Sequence, residues 1–514
     1  MKIDFNPQFK QAWELLEKTS QNLFITGRAG TGKSTLLNLF RQKSQKKIAV
    51  LAPTGVAAVN ISGETIHSFF RFRPDVTPAK AKKIAAKIKN SKRFLLYQKL
   101  ETIVIDEISM VRADLMDAVD RFLQTVLGNR LPFGGKQMVF FGDLYQLPPV
   151  LKNSDRRIFA KIYQTPYFFS SQAFNLSGLK LEYIELEKIY RQSDERFISL
   201  LNAIRNRQIE DSQIEHINRR VGKTLPDAVF LTGLNAKADK INHEKISALP
   251  GKGRRYYGYI DGFFPEKHLP AEEKLFLKNG ARVMLLNNDR SRRWINGTLG
   301  IVVRLEKDII TVRLDSGRRV GIKPFIWEII QNRWDKKSRT IQSDVVGTFT
   351  QFPVKLAWAL TIHKAQGKTF DRVTVDLSSG IFAPGQLYVA LSRCRTLKGI
   401  SLTCPVLRRH ILLDYRIVSF LTDFQYRLAD KKQPLASREA KIRQAIESKE
   451  KLEIIYLKAS NIKSRRLIRP KRLAEMEYLG KPFYGLEAYC YLRKEERVFR
   501  LDRILEAKNQ TNQN

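Results

Sequence analysis

The sequence predicts an α/β fold with a parallel sheet in its first third. Apolar runs alternate there with helical patterns, and a polar or glycine-rich cluster directly follows each of four strand-like runs. These runs are Leu23 to Thr26, Ile48 to Ala52, Thr102 to Ile105 and Gln137 to Phe141. Because open α/β sheets bind their ligands at the carboxyl ends of the strands, four such ends predict one nucleotide-binding fold.

Charge and cysteine content narrow the class of partner and the compartment. The 514 residues contain 91 Lys and Arg against 51 Asp and Glu, which gives a net charge of +40. A folded protein with this excess repels itself unless a polyanion is its normal partner, and nucleic acid is the commonest one. The basic residues are spread along the whole chain, which argues against a membrane surface. Three isolated cysteines and the lack of a signal peptide or apolar span favour the cytoplasm.

The segment after the first strand fits the phosphate-binding loop in full. Its glycines let backbone N–H groups close around phosphates, and the helix that follows adds positive potential at its N-terminus. Lys33 would contact the β and γ phosphates, and the Ser34 hydroxyl would bind Mg²⁺. The sequence therefore predicts a nucleotide site formed by Gly27, Gly30, Thr31, Gly32, Lys33, Ser34 and Thr35.

Two further strand ends carry side chains for the same chemistry. Asp106 follows the third strand and can hold Mg²⁺, usually through water, while Glu107 is placed to orient or deprotonate the attacking water. Gln146, after the fourth strand, can bond the γ-phosphate and report its loss to a neighbouring domain. Alone, an Asp-Glu pair is commonly a helix cap and the cluster around Gln146 a proline-rich turn. The prediction therefore depends on their positions after strands.

The rest of the chain divides into further segments. A basic insert at 71–97 separates the second and third strands. A second α/β pattern covers 181–425 and is interrupted at 288–347 by Val/Ile/Leu-rich runs with hairpin-type turns, which predict a small β-barrel. Residues 430–450 are charged and helix-prone and are interpreted as a linker. A last small β-rich unit spans 451–506.

Eight segments together resemble the PIF (petite integration frequency) family of superfamily 1B DNA helicases. They occur in the family's order and cover about residues 1–425, so together they are far more specific than any one of them. The segments are GRAGTGKST, LAPTGVAAVNISGETIHSFF, VIDEISMVRADLMD, PFGGKQMVFFGDLYQLPPV, ELEKIYRQSDERFISLLNAIR, NGARVMLLNNDRSRRWINGTLG, LAWALTIHKAQGKTFDRV and LYVALSRCRTLKGISL.

The resemblance implies two RecA-like parallel-sheet domains, at 1–180 and 181–425, with ATP in the cleft between them. The second domain would lend two arginines across that cleft, because a guanidinium fork neutralises the charge that spreads over the γ-phosphoryl oxygens. The implied cofactors are ATP and Mg²⁺, with Ser34 and Asp106 as the metal ligands. The implied catalytic residues are Lys33, Asp106, Glu107, Gln146, Arg191 and Arg393.

The resemblance also places DNA contacts on loops at the far edge of both domains. Hydroxyl, backbone N–H and basic groups there would bind phosphates, and an aromatic ring would stack on a base. The sequence allows either base stacking or core packing for Phe69. It allows either a DNA contact or a structural hydrogen bond for His67 and His363. The implied contacts are Pro53, Thr54, Gly55, Thr65, His67, Ser68, Phe69, Thr361, His363, Lys364, Gln366 and Gly367.

Two inserts have expected roles, and one position departs from the family pattern. The insert at 71–97 stands where the family carries its duplex-separating element, and its lysine face either tracks phosphates or is simply solvated. The β-barrel is expected to close over single-stranded DNA, with Trp294 either stacking on a base or buried in the barrel core. Many superfamily 1 helicases carry an adenine-reading glutamine seventeen residues before Gly27, where this chain has Lys10, so nucleotide selectivity stays open.

The C-terminal unit resembles the WYL domain, a small β-rich domain of bacterial regulators. The ending Phe-Arg-Leu-Asp-Arg-Ile, residues 499–504, matches well, although Tyr484-Gly485-Leu486 replaces the naming tripeptide. The resemblance implies ligand sensing, with nucleic acid or a nucleotide as the ligand, or else a structural barrel with solvated arginines. The candidate contacts are Arg465, Arg466, Arg493, Arg497, Arg500 and Arg503.

The predicted function is an ATP-dependent DNA helicase that acts as a monomer on single-stranded DNA and duplex junctions, with the 5′-to-3′ polarity that the resemblance implies. The alternatives are a DNA-stimulated NTPase that remodels nucleoprotein complexes without strand separation and a transcription regulator with a vestigial NTPase. G-quadruplexes, recombination intermediates and stalled forks under repair are all open as physiological substrates.

Overall fold

The computed structural model describes residues 5–509, except 152–155, 157–158, 176–178, 193, 267–268, 290, 292, 336–339, 460–462 and 479. A six-stranded parallel sheet forms the first half, in the order β3-β2-β4-β5-β1-β6. Its strands are β1 (Asn22–Gly27), β2 (Ile48–Ala52), β3 (Glu64–Thr65), β4 (Thr102–Ile105), β5 (Gln137–Phe141) and β6 (Leu181–Leu186). The α/β fold with a parallel core is therefore confirmed.

Strand β6 corrects one predicted boundary. Leu181 was expected to open the second domain, but β6 pairs in parallel with β1 from Asn22 to Gly27. It is therefore the last strand of the first sheet, and the second half begins after Leu186. Alternation of strand and helix alone does not reveal which sheet a boundary strand joins.

Helices surround the first sheet. They are α1 (Pro7–Lys18), α2 (Lys33–Lys43), α3 (Gly55–Asn60), α4 (Ile66–Phe70), α5 (Pro78–Lys89), α6 (Phe94–Lys99), α7 (Ala113–Leu127) and α8 (Gln172–Asn175), with short 3-10 turns at Ile108–Met110, Pro132–Gly135 and Phe168–Ser170. Helix α1 starts after an N-cap at Asn6, whose side chain accepts the Phe9 N–H at 2.9 Å. The helix then buries Phe9, Ala12 and Leu16 beside the phosphate loop's sheet.

The second half has its own parallel sheet of four strands, in the order β18-β7-β19-β20. The strands are β7 (Val229–Thr232), β18 (Ala359–Thr361), β19 (Val373–Val375) and β20 (Ile400–Leu402). The helices are α9 (Glu195–Arg205), α10 (Asp211–Asn218), α11 (Asn235–Ser247) and α12 (Gln386–Leu391), with 3-10 turns at Leu397–Gly399 and Arg408–His410. Two parallel sheets thus carry the two halves of the motif set.

The β-rich insert in the second half is larger than predicted. Its strands are β8 (Arg254–Tyr257), β9 (Tyr259–Gly262), β10 (Lys274–Leu277), β11 (Arg282–Leu285), β12 (Leu299–Leu305), β13 (Ile310–Leu314), β14 (Arg319–Ile322), β15 (Phe325–Asp335), β16 (Thr340–Gln351) and β17 (Val354–Leu356). Strands β14-β13-β12-β11-β17 form one antiparallel sheet, whose core also holds residues of β8 and β10. The insert therefore covers 254–356, rather than 288–347, because its outer strands come from both sides of the predicted hairpins.

The C-terminal unit is compact by itself and begins at Leu413. It contains α13 (Tyr415–Lys432), α14 (Leu435–Glu447), a 3-10 turn at Leu501–Arg503, and an antiparallel sheet in the order β24-β23-β22-β21-β25. The strands are β21 (Leu452–Leu457), β22 (Lys463–Tyr478), β23 (Lys481–Cys490), β24 (Glu495–Arg500) and β25 (Ile504–Asn509).

The linker predicted at 430–450 is wrong for most of its length. Helix α14 occupies it, and Ile442 and Ala445 are buried in the core of the sheet. The many charged residues on the exposed face of α14 made this apolar stripe hard to recognise in the sequence. Within the described part of the chain, no helix is long and apolar enough to cross a membrane.

Candidate nucleotide site and nucleic-acid surface

The phosphate loop joins β1 to α2 and is shaped by glycine. Gly30 and Gly32 have φ values of +85° and +91°, which L side chains adopt only with strain. A Cβ atom on Gly30 would lie 2.5 Å from the Cβ of Arg191, which belongs to the other half. The loop therefore needs glycine both for its own turn and for the close approach of Arg191.

Lys33, the first residue of α2, lies inside this loop. Its Nζ donates to the carbonyls of Gly27 at 2.6 Å and Arg28 at 3.1 Å. Burial lowers its pKa, although Asp143, Glu107 and Asp106 partly oppose this shift. Three carboxylates thus surround the ammonium group at the position where a polyphosphate chain is expected.

Asp106 and Glu107 follow β4 as predicted. Burial and the adjacent Asp106 raise the pKa of Glu107 to about 7, and burial raises the pKa of Asp106 as well. The predicted metal ligands are the Asp106 carboxylate and the Ser34 hydroxyl at the start of α2. All of these donor atoms are oxygen, which fits Mg²⁺, an ion usually held by one or two carboxylates together with phosphate and water.

Gln146 is buried at the same place and belongs to a hydrogen-bonded group. Its Nε2 donates to Asp143 Oδ2 at 3.3 Å, and Arg205 Nη2 lies 3.0 Å from Asp143 Oδ1. Although burial opposes ionisation, the charges of Arg205 and Lys33 lower the pKa of Asp143. The Arg205 guanidinium also lies 3.8 Å from the centre of the Tyr145 ring. Sequence reasoning missed Arg205, because an arginine far along the chain gives no local signal.

Arg191 and Arg393 enter the same cleft from the second half. Arg393 is 1% exposed, and its guanidinium contacts the Val389 carbonyl at 2.8 Å and Ser392 Oγ at 2.8 Å. Burial and the charge of Arg191 lower the pKa of Arg393 to about 9. Both arginines line one cavity of about 630 Å³ together with Lys33, Glu107 and Gln146. Five of the six predicted catalytic residues therefore line one cavity, and the sixth, Asp106, directly precedes Glu107.

Aromatic residues that the sequence did not single out complete the cavity. Phe9 and Tyr190 line its wall, and the Asn6 side chain donates to the Tyr190 hydroxyl at 3.1 Å. Tyr388 on α12 accepts the Ala29 N–H at 3.1 Å, a direct contact between the second half and the phosphate loop. Tyr190 directly precedes Arg191, so its position beside a predicted catalytic residue was the available signal.

The first predicted DNA loops are ordered by their own caps. Thr54 Oγ1 accepts the Ala57 N–H at 3.2 Å at the start of α3, between Pro53 and Gly55. Thr65 Oγ1 accepts the Ser68 N–H at 3.1 Å at the start of α4. Thr54 is exposed and His67 is half-buried, so both are accessible from solvent.

Phe69 does not form the expected stacking platform. It is 0% exposed and packs edge-on against Phe70 and Tyr97, with ring centres 4.9 and 5.4 Å apart. The Tyr97 hydroxyl also donates to the Phe69 carbonyl at 2.6 Å. Phe69 therefore anchors α4 to the core, and the core alternative is the one found.

The second predicted loop, TIHKAQG, divides between two tasks. His363 and Lys364 are exposed, as a phosphate contact requires, and so is Gly367. Thr361 is 3% exposed, and its hydroxyl accepts the Lys364 N–H at 3.3 Å, so it caps the turn instead of facing DNA. Gln366 lies 3.2 Å from Glu107 and therefore belongs to the nucleotide cleft.

The structure also answers some of the predictions for the two inserts. The insert at 71–97 forms α5 and α6, and α5 buries Ala81, Ala85 and Ile88 while its lysines stay exposed. Trp294 is 7% exposed in the insert core, and its Nε1 donates to Asn287 Oδ1 at 3.1 Å. It is a core residue, whereas Arg290 and Arg292 beside it lie outside the described residues.

Basic side chains also gather in the C-terminal unit. Burial, together with the charges of Arg466, Arg493 and Arg497, lowers the pKa of Lys458. Arg466 is 7% exposed, and one of its buried guanidinium nitrogens, Nη1, has no hydrogen-bond partner. Arg465 and Arg500 pair with Glu453 and Asp502, and Arg497 lies 3.4 Å from Glu495, so only part of the predicted arginine set converges on Lys458.

One RecA-like half carries the phosphate loop, and the other places two arginines in the same cleft. This arrangement defines a P-loop NTPase motor. A PIF1-like helicase family model matches residues 7–215, and a WYL domain model matches residues 439–509. The ATP-dependent DNA helicase Pif1 of Bdellovibrio bacteriovorus is 33% identical over 436 residues, which cover 82% of this chain and 93% of that relative. The chain matches less than two thirds of the longer vertebrate relatives.

Solved structures agree with these sequence matches. The crystal structure of Bacteroides sp. Pif1 in complex with ADP-AlF4 has 38% sequence identity and a TM-score of 0.76, over 82% of this chain and 98% of that one. Bacteroides Pif1 bound to single-stranded DNA has 37% identity and a TM-score of 0.58. The chain belongs to the PIF1-like helicase family and is a helicase driven by ATP hydrolysis.

Proposed function

We propose that this chain is an ATP-dependent DNA helicase that moves 5′ to 3′ on single-stranded DNA and separates duplex DNA. The observation that carries the proposal is the cleft itself. Lys33 and Glu107 come from one half, Arg191 and Arg393 come from the other, and all four line one cavity. Hydrolysis of a triphosphate held there would change how strongly the two halves attract each other, which is the requirement for a motor.

Each side chain has a defined task in hydrolysis. Lys33 holds the β and γ phosphates, and bound Mg²⁺, held through Asp106 and Ser34, would neutralise their charge. Glu107 orients the water and accepts its proton as the water oxygen bonds to the γ-phosphorus and the bond to the β-phosphate oxygen breaks. Arg191 and Arg393 neutralise the charge on the equatorial oxygens, a contribution of about 10³ to 10⁵ in rate for such arginines.

The DNA path is proposed from exposed groups on both halves. Thr54 and His67 belong to the first half, and His363 and Lys364 to the second. Phosphate contacts of this kind hold any sequence, as a translocating protein requires. The exposed lysines of α5 would meet the duplex, and the net charge of +40 supports a polyanionic track.

The proposal extends to substrate and setting. Duplex junctions and G-quadruplex DNA are the proposed substrates, a monomer is the proposed motor, and the cytoplasm is the proposed compartment, with Cys394, Cys404 and Cys490 all free. The C-terminal unit is proposed to bind an anionic ligand, nucleic acid or a nucleotide, at the cluster of Lys458 with Arg466, Arg493 and Arg497.

A polarity-resolved unwinding assay tests the proposal. Forked duplexes with a 5′ tail, a 3′ tail, or a 5′ tail of RNA are compared with ATP present. We expect separation of the 5′-tailed DNA fork only, and none by Lys33→Ala. ATP hydrolysis stimulated by DNA without strand separation would favour a remodelling NTPase, and preference for the 3′ tail would refute the polarity.

A further inference from the structure

The turn after β18 carries side chains that face two different surroundings. The Ala365 N–H donates to the Thr361 carbonyl at 3.0 Å, and the Gln366 N–H donates to the His363 carbonyl at 3.2 Å, so the turn is compact. His363 and Lys364 are exposed, whereas Gln366 is half-buried against the nucleotide cleft. A force on the exposed residues must therefore also move the Gln366 amide.

Gln366 engages two catalytic side chains at once. Its Nε2 lies 3.2 Å from Glu107 Oε2 and 3.2 Å from Gln146 Oε1. The two N–H groups of one amide can serve both acceptors. Gln366 engages Glu107 Oε2, an oxygen that could otherwise receive the attacking water. It also binds the carbonyl oxygen of Gln146, while the Gln146 Nε2, the donor that would bond the γ-phosphate, donates to Asp143 Oδ2 at 3.3 Å. The contacts of Gln366 therefore compete with the task of Glu107 and hold the Gln146 amide turned toward Asp143.

The backbone of the turn is held loosely on the cleft side. Arg191 Nη2 lies 3.5 Å from the Gly367 carbonyl, and Arg393 Nη1 lies 3.4 Å from the Lys368 carbonyl. Hydrogen bonds of this length are weak, so a small displacement of the turn costs little. The same displacement would lengthen the 3.2 Å contacts of Gln366 beyond bonding distance.

We propose that Gln366 is a positioning residue that makes ATP hydrolysis depend on DNA. Without DNA it holds Glu107 and Gln146 away from the attacking water and the γ-phosphate. When a DNA phosphate binds His363 and Lys364, the turn shifts and releases both side chains for the reaction. This inference rests on the proposed DNA contact of His363 and Lys364.

The test measures steady-state ATP hydrolysis of the full chain without DNA and with saturating oligo-dT. Gln366→Met keeps the volume of the side chain but removes the amide. We expect its DNA-free kcat to rise by about tenfold, since a freed general base contributes at least that much, and the ratio of stimulated to unstimulated kcat to fall accordingly. Gln124→Met on α7, which also removes a hydrogen-bonded amide, is the matched control with an unchanged ratio.

Two further readouts separate this role from other roles. The denaturation midpoint of Gln366→Met should match that of the unmodified chain. Its oligo-dT Kd should be equal or lower, because DNA no longer has to break the two Gln366 contacts. An unchanged kcat ratio, a lower DNA-free kcat, or a large loss of DNA affinity would each overturn the inference, the last by making Gln366 a direct DNA contact. If the unmodified chain itself shows no stimulation by DNA, the proposed function fails first.

Discussion

The two Thr-Ile-His segments of this protein begin alike and end differently. In both, the threonine hydroxyl accepts the N–H three residues later, at 3.1 Å for Thr65 and 3.3 Å for Thr361. The first segment continues with Phe69 and Phe70, which are buried. The second continues with Lys364 and Gln366, one exposed and one at the nucleotide cleft. The same capped turn thus packs against the core in the first half, whereas in the second half it links exposed residues to the nucleotide cleft.

The difference shows that the shared Thr-Ile-His tripeptide determines only the capping hydrogen bond of the turn. What the turn does depends on the side chains that follow and on what they contact. Aromatic rings fasten the first turn to Tyr97 and leave it little freedom. A polar amide joins the second turn to Glu107 through a bond that can break. We therefore expect stability effects from the first turn and activity effects from the second.

The largest expected stability effect is that of Phe69→Ala. It removes a fully buried ring from the aromatic cluster, so the free energy of unfolding should fall by about 3–5 kcal/mol. Denaturant unfolding of the intact chain, followed by tryptophan fluorescence, measures it. Phe69→Leu should lose clearly less. A drop below about 1 kcal/mol for Phe69→Ala would contradict the anchoring role of the first turn.

A smaller effect is expected for Glu64→Ala, just before the first turn. The Glu64 carboxylate accepts the Asn332 N–H at 2.7 Å and the Ser68 hydroxyl at 3.3 Å, and so ties β15 to α4. Loss of a buried acceptor costs about 1–3 kcal/mol, which should appear as faster hydrogen exchange in the β15–β16 hairpin. Glu64→Gln retains an acceptor and should exchange more slowly than Glu64→Ala. Equal exchange in both variants would argue against the tie.

The second turn should respond through DNA binding. If Lys364 contacts one phosphate, Lys364→Ala should lower the slope of log affinity against log salt by about 0.7 for single-stranded DNA. Fluorescence anisotropy with oligo-dT at several salt concentrations measures the slope. Lys18→Ala, at the exposed end of α1, removes the same charge and should leave the slope unchanged. An unchanged slope for Lys364→Ala would remove it from the DNA path.

The smallest effect is a dependence of DNA affinity on pH. Burial, with the charges of Lys368 and Lys364, lowers the pKa of Lys355 to about 7, while Glu272 and Asp239 oppose the shift. Burial also lowers the pKa of Lys368 to about 8. Because a lysine is charged below its pKa, these positive charges are lost as the pH rises from 6 to 9.

Lys355 lies close enough to Lys364, a proposed DNA contact, for their charges to interact. DNA affinity should therefore weaken as the pH rises from 6 to 9, and the loss of one lysine charge should lower it by less than about tenfold. Lys355→Met should flatten the profile while lowering the affinity at pH 6. An affinity independent of pH in the unmodified chain would place Lys355 outside the reach of the DNA phosphates.

Much of the fold and the catalytic centre could be predicted because both are encoded locally. The phosphate loop, Asp106 and Glu107 each follow an apolar strand, and a parallel sheet brings strand ends to one edge. The features that could not be predicted depend on tertiary contacts. Phe69 and Gln366 were expected at the DNA surface, but burial of a ring and the reach of an amide are properties of the folded chain. Arg205 and Tyr388 gave no local signal, because their partners lie far away in sequence.

The most direct test of the shared cleft is single-turnover ATP hydrolysis by Arg393→Ala with saturating oligo-dT. Because Arg393 belongs to the second half, a large effect requires that both halves act on one triphosphate. The rate should fall by about 10³ or more, while binding of a fluorescent ATP analogue to Lys33 and the phosphate loop persists. A rate within tenfold of the unmodified chain, with the fold intact, would contradict a nucleotide site built from both halves.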